Sequence, residues 1–242
     1  KKVVQRRVTL LAEEGVQFRT NSHVGVNVGV LELQKGFDAI LLCGGSTEPR
    51  KLSVPGADLA GVYLAMDYLT QQNRLLSGQT INENERINAE GKRVVILGGG
   101  DTGSDCLGTA HRQGAKEVYQ FEIMPTPGTE RGSNNPWPQW PLILRSSHAH
   151  EEGGTRDYGI MTKALSGDRG RIRELHGVRL GMGKIEGSSS ASMEEIPGSE
   201  FVLKADMILL AMGFLHPEHK GMLQEFGVEF DQRGNVKTNI EK

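Results

Sequence analysis

Three glycines at fixed intervals are the residues whose types and spacing first suggest chemistry. Gly98, Gly100 and Gly103 form G-x-G-x-x-G within Val94-Val-Ile-Leu-Gly98-Gly99-Gly100-Asp101-Thr102-Gly103. In that spacing the first glycine permits a tight turn and the second lets a pyrophosphate approach the backbone. The third lets a helix and a strand lie close together. Asp101 and Thr102 then open a helix whose free N–H groups and partial positive charge face the phosphates. Glu122 stands 19 residues beyond Gly103, where a carboxylate accepts hydrogen bonds from ribose hydroxyls and repels a 2′-phosphate. Arg131 is the opposing candidate, because a loop arginine can pair with that phosphate. Between NADH and NADPH, the carboxylate favours NADH.

The other reactive side chains form weaker sets. His148-Ala-His150-Glu151-Glu152 and His216-Pro-Glu-His219 place imidazoles close together, but neither sits on a helix that would converge them on a metal, so no metal site is expected. Cys43 and Cys106 are the two cysteines and have no C-x-x-C or C-x-x-H neighbour. They provide neither a disulfide framework nor a cluster ligand set, and point to a reducing, cytoplasmic setting. Cys106 reads as a packing residue inside the nucleotide helix. Asn135-Pro-Trp-Pro-Gln-Trp-Pro141 reads either as an aromatic docking surface or as a self-packed cap. No phosphate loop ending in Gly-Lys-Ser/Thr and no G-x-S-x-G occurs, so phosphoryl transfer and serine hydrolysis have no support.

The glycine motif requires a strand before it and a helix after it. Arg93–Leu97 reads as a strand, Asp101–Gln113 as a helix stopped by Gly114, and Glu117–Glu122 as a second strand: one βαβ unit. Further helices are expected over residues 2–14, with Gly15 as the stop, and over Ala65–Leu76. A short strand is expected at Val16–Arg19, with others over 171–185 and 201–210 joined by a serine-rich turn at 187–199. Two segments share one design, an apolar run ended by glycine: Phe37-Asp-Ala-Ile-Leu-Leu-Cys-Gly44-Gly45 and Ala205-Asp-Met-Ile-Leu-Leu-Ala-Met212-Gly213. Each reads as a strand buried on both faces of a parallel sheet. Exposed edges at 38–43 would favour self-association. The proline- and tryptophan-rich stretch from Met124 to Glu152 is too long for an idle loop.

Composition narrows the function classes. The 28 basic and 30 acidic side chains leave a net charge of −2, so no basic excess exists to release counterions from nucleic acid. No apolar run approaches the roughly 18 residues of a membrane span. Glycine is the outlier, with 32 of 242 residues, about 13% against roughly 7% in average proteins. The chain begins at Lys1 and ends at Lys242 without a terminating signal, and it reads as a piece of a longer one.

Val94–Gly103, followed by Asp105-Cys106, Arg112-Gln113-Gly114-Ala115 and Asn135–Pro141, resembles the small (beta) subunit of glutamate synthase, in the form shared with the C-terminal part of plant NADH-dependent enzymes. Tyr158-Gly-Ile-Met-Thr-Lys163 and Ala205–Phe214 extend the resemblance over nearly the whole chain. The resemblance implies an α/β architecture in which a Rossmann-like NAD(P)-binding domain, 61–213, is inserted into an incomplete FAD-binding domain made of 1–60 and 214–242. It places Gly44, Gly45, Met212 and Gly213 at crossovers near nicotinamide and flavin. It further implies hydride transfer from NADH or NADPH to FAD, iron–sulfur clusters outside this chain, and the glutamate synthase large subunit as partner. It supplies no catalytic acid or base. Two alternatives stand beside it: a non-catalytic nucleotide-sensing or assembly module that binds a partner through 135–141, and, more weakly, a methyltransferase using the same glycine loop.

Overall fold

Val94, Val95, Ile96 and Leu97 are all buried, and a strand with no polar face must be covered on both sides. The computed structural model, which describes residues 1–184 and 191–238, shows how. The chain divides into two compact units, 49–213 and 1–48 with 214–242.

The larger unit is built on a five-stranded parallel sheet of β1 (Val62–Leu64), β2 (Arg93–Leu97), β3 (Glu117–Glu122), β4 (Thr155–Tyr158) and β9 (Met207–Leu210). The strand order is β1-β9-β2-β3-β4. Helices α3 (Ala65–Leu75) and α4 (Asp101–Arg112) cover one face. Both crossovers, β1 to β2 and β2 to β3, advance across the sheet in the same direction, and right-handed connections then put both helices on one side. The other face is covered by antiparallel strands β5 (Ile160–Asp168), β6 (Arg171–Lys184), β7 (Ala191–Glu195) and β8 (Phe201–Lys204), with β6 paired to the other three. Period-two alternation therefore feeds two cores. Val94, Ile96, Met207 and Leu209 join Tyr68, Cys106 and Leu107 under the helices. Val95, Leu97 and Ile208 join Phe121, Ile160, Ile172 and Leu175 between the sheets.

The segment expected as one strand over 201–210 is two. The chain leaves the antiparallel sheet at Ala205 and enters the parallel one after Asp206. That corner is held by Arg93, whose guanidinium donates to both Asp206 carboxylate oxygens at 2.9 Å while its backbone N–H donates to one of them at 3.0 Å. Arg93 draws the Asp206 carboxyl from its ordinary value down to about 2. The turn expected at 187–199 contains β7; its residues 187–190 lie outside the described residues. Residues 49–60, expected with the first domain, belong to the larger unit. Leu165 N–H donates to Pro55 O at 2.8 Å and Ile172 N–H to Ala60 O at 3.0 Å, and Leu52, Val54 and Leu59 pack on the inter-sheet core.

The smaller unit contains α1 (Lys2–Glu13), α2 (Val30–Gly36) and α6 (Met222–Glu225). Helix α1 buries none of its residues, and Gly15, at φ +97°, ends it as expected. The strands expected at Val16–Arg19 and Phe37–Gly45 do not form among the described residues. A strand needs a ladder partner, and the isolated bridges of this unit, Val24 with Val28 and Phe230 with Val236, offer none to residues 37–45. Phe37 and Leu41 stay 56% and 87% exposed.

Candidate functional site

The glycine turn lies at the carboxyl ends of β2, β3 and β9, the edge at which open parallel sheets bind ligands. Gly98 N–H donates to Phe121 O and Ala211 N–H to Leu97 O, both at 2.8 Å, so the three strand exits are stitched together. Gly98 turns at φ +125°, and a Cβ there would stand 2.1 Å from the Ala211 carbonyl oxygen. Only glycine fits. At Gly103 a Cβ would meet the Gly98 carbonyl at 2.3 Å, whereas at Gly100 it would meet nothing within 4 Å. One glycine is required by the turn and another by close packing, while the third leaves open space where backbone meets solvent.

Gly100 is also the N-cap of α4 and supplies no side-chain cap. The N–H groups of Asp101, Thr102 and Gly103 therefore point out of the helix without intrahelical acceptors, a ready cradle for a phosphate. Glu122, at the end of β3, folds back over the turn. Its Oε2 accepts the Gly99 N–H at 2.6 Å and its Oε1 the Met124 N–H at 3.0 Å. A Cβ on Gly99 would stand 2.7 Å from Glu122 Oε2, so a larger residue there would push the carboxylate off the turn.

Two hollows flank the turn and share Gly99, Gly100, Asp101 and Glu122. One, of about 780 Å³, runs past Gly98 and Thr102 to Met212 and Gly213 and includes Arg50, Met161 and Thr162. The other, of about 440 Å³, lies beneath the 124–147 loop and includes Ser147, His150, Arg156, Tyr158 and Trp140. Tyr158 and Thr162 belong to the run that carries the family resemblance, with no site role assigned from it, and Arg50 and Arg156 had no signal in the sequence. The four enter from β4, β5 and a preceding loop.

The remaining candidate residues lie elsewhere. Gly44 and Gly45 belong to the smaller unit, where they line a hollow of about 550 Å³ with His23, Ser46, Lys220 and Met222. Arg131 lines neither hollow at the glycine turn. Its Nη1 donates to Asn135 O and Gln139 O, both at 2.9 Å, which ties the guanidinium to its own loop. His216 and His219 stack on each other at 4.2 Å, His219 stacks on Phe230 at 4.1 Å, and no group of three metal-ligating side chains converges among the described residues. Cys106 is fully buried, and burial, then the nearby Asp105 charge, pushes its thiol up to about 12. Its role is packing. No helix among the described residues is long and apolar enough to cross a membrane.

A glycine turn opening a helix, set between two hollows at the carboxyl edge of a parallel sheet, defines a Rossmann-like α/β protein. Comparison with known proteins makes this particular. The family model described as pyridine nucleotide-disulphide oxidoreductase matches residues 1–241, and the chain belongs to that family. It is 46% identical over 241 residues to a Mycobacterium tuberculosis protein named glutamate synthase [NADPH] small chain, covering 98% of this chain and 48% of the relative. It is 40% identical to glutamate synthase [NADH] of Schizosaccharomyces pombe, covering 98% of this chain and 12% of that one. The chain thus spans about half the length of the small chain it matches. Among solved structures, Mycobacterium tuberculosis FprA in complex with NADPH superposes with a TM-score of 0.64 at 16% identity, covering 98% of this chain and 63% of that one. That likeness is one of fold.

Proposed function

We propose that this chain is the electron-input part of a glutamate synthase small subunit, in which residues 49–213 bind a nicotinamide dinucleotide across the glycine turn. The observation that carries this reading is the sharing of one uncapped helix terminus, with its open Gly100, by two hollows. The pyrophosphate would lie on the N–H groups of Asp101, Thr102 and Gly103. Adenosine would lie toward Ser147 and Arg156, and nicotinamide toward Thr162, Met212 and Gly213. When bound, the reduced nicotinamide supplies a hydride, which FAD of the longer protein takes up on the way to glutamate synthesis. This chain's residues position and shield; none is required to move a proton. The smaller unit, with Gly44 and Gly45 at its hollow, would be part of the FAD-type domain. Neither cysteine is placed as a cluster ligand, so iron–sulfur centres would lie outside the chain, and the large subunit would be the electron acceptor's home.

Glu122 supports NADH over NADPH, since its carboxylate at the turn repels a 2′-phosphate, while Arg131 lines neither hollow. Titration of the protein with each nucleotide tests both points. NADH should bind about tenfold more tightly than NADPH, and Gly100→Trp, which fills open space without touching the fold, should abolish binding of both. Tight NADPH binding would remove the role given to Glu122, and full affinity in Gly100→Trp would remove the site. A partner-binding role for 135–141 has its own supporting observation. The Asn135 side chain is buried by bonds to Gln139, Trp140 and Leu142, while Trp137 and Trp140 stand 83% and 70% exposed. Loss of large-subunit capture in Trp137→Ser with unchanged NADH affinity would favour docking there.

A further inference from the structure

Three polar side chains are buried among the described residues: Ser104, Gln120 and Asn135. Asn135 is explained by its own loop. The other two lie at the glycine turn and belong to one closed circuit.

Gln120 projects from β3 into the space that Gly103 leaves empty, where a Cβ on Gly103 would stand 2.6 Å from its Nε2. Its Nε2 donates to the Gly98 carbonyl at 2.9 Å, and its Oε1 meets His150 Nε2 at 2.9 Å. The Gly98 carbonyl can only accept, so the amide has one possible orientation, and His150 Nε2 must carry the proton. His150 Nδ1 is then bare in the neutral ring; it accepts the Ser147 backbone N–H at 3.1 Å and lies 3.1 Å from the Ser147 hydroxyl oxygen. Ser147 Oγ closes the circuit on Ser104 Oγ, in the first turn of α4. Both ends of the circuit thus rest on the phosphate cradle, one at Gly98 and one at Ser104, and it passes through the end of the 124–147 loop.

We propose that Gln120 and His150 are positioning residues for dinucleotide binding, and that the neutral Nε2–H form of His150 locks the glycine turn in its binding shape. The inference rests on the nucleotide site proposed above. A proton added to Nδ1 would face the Ser147 N–H and remove its acceptor, and would turn the Ser147 hydroxyl oxygen into its own acceptor, so the link through Ser147 to Ser104 has to rearrange beside the cradle. Around His150 stand Arg156 of β4 and Arg145 of the preceding loop, with Asp101 of α4 and Glu122 of β3 across the same hollow. On α5 (His148–Glu151), His148 faces Glu151, and beyond it Glu152 pairs with Arg112 of α4. Burial first, then the Arg156 charge, holds the His150 pKa below its ordinary value. The circuit is therefore closed at neutral pH and rearranges as pH falls through the acid side of the histidine range.

The test is calorimetric binding of NAD⁺, which survives acid better than the reduced form, by the full-length protein between about pH 8 and about pH 5. Wild-type affinity should fall at least about fivefold at the acid end. His150→Gln keeps a donor for Gln120 but cannot titrate, so its affinity, taken relative to its own value at neutral pH, should show a flat profile. Gln120→Leu should weaken binding about fivefold at neutral pH, and adding His150→Leu should cost little more, because both act through one circuit. Parallel pH profiles for wild type and His150→Gln, or additive losses in the double variant, would overturn the proposal. Amide exchange at Gly98–Gly103 without nucleotide gives an independent readout. Protection there, taken relative to the intrinsic exchange rate at each pH, should fall in acid more in wild type than in His150→Gln, and equal responses would again overturn it. Absence of nucleotide binding at every pH would instead remove the site itself, leaving the exchange comparison to decide the circuit.

Discussion

Residues 37–45 and 205–213 carry nearly the same pattern, an apolar run ending in glycine, and the structure treats them oppositely. In the larger unit Met207–Leu210 is a central strand, paired in parallel with β1 on one side and β2 on the other. In the smaller unit residues 37–43 pair with nothing regular, and Ile40, Leu41 and Leu42 remain exposed. The difference does not lie in the runs. Strand formation in a parallel sheet depends on two ladders and two covering layers, which the larger unit supplies to one run. Among the described residues, only Val30 and Leu223 of the buried apolar side chains belong to the smaller unit. An apolar run states a demand for burial, and its surroundings decide whether that demand is met.

Substitutions can break this contrast, and the largest effect belongs to the met demand. Leu209→Ala should cost about 3 kcal/mol of stability, as expected for a leucine removed from a closed core, read from chemical unfolding monitored by Trp or Tyr emission. Asp206→Asn, at the corner that feeds β9 into the sheet, should cost about 2 kcal/mol at neutral pH. Because the carboxyl is drawn below its ordinary value of 3.8 to about 2, this stabilisation is complete above that ordinary value. It is lost as pH falls through about 2, so the variant and wild type should converge in acid unfolding curves. Glu122→Ser tests the site rather than the core. It should improve NADPH binding relative to NADH about tenfold, roughly 1.4 kcal/mol, with little change in thermal midpoint. Leu41→Ser should fall within about 0.5 kcal/mol. A loss there as large as that of Leu209→Ala would show that the two runs are equally buried and remove the contrast.

Legibility in the sequence followed the same physics. Arg93–Leu97 was readable to the residue because a strand buried on both faces leaves a continuous apolar run between turn signals, and Glu117–Glu122 because the helix and Gly114 before it require a second strand of the βαβ unit there. Strand β4, Thr-Arg-Asp-Tyr, was not, because an edge strand with little burial carries no such run. The 2–13 helix was legible although it buries nothing, since periodicity and a terminal glycine do not depend on partners. At the site, Gly98, Gly100 and Gly103 announced themselves by spacing, and Glu122 by its distance from them. Gln120, Ser104 and His150 had no such signal. The Ser104–Ser147 and Gln120–His150 bonds cross 43 and 30 residues of sequence, and only the closure of the sheet brings them together. Arg131 shows the reverse case: a residue type suited to a phosphate, placed in the right loop, and used by that loop for its own carbonyls.

The position of β9 has a consequence for the order in which the molecule is made. It is the last strand of its unit in the chain, yet it occupies the slot between the first two. Until residues 207–210 leave the ribosome, β1 and β2 have a gap between them that nothing synthesised earlier fills. Gly98 likewise lacks the Ala211 carbonyl against which it turns. Assembly of the sheet, and with it the cradle, therefore waits on a contact more than 100 residues distant in sequence, the kind of closure that slows folding. A ribosome stalled shortly before that point would hold two apolar strands with an open slot between them, a natural substrate for a chaperone.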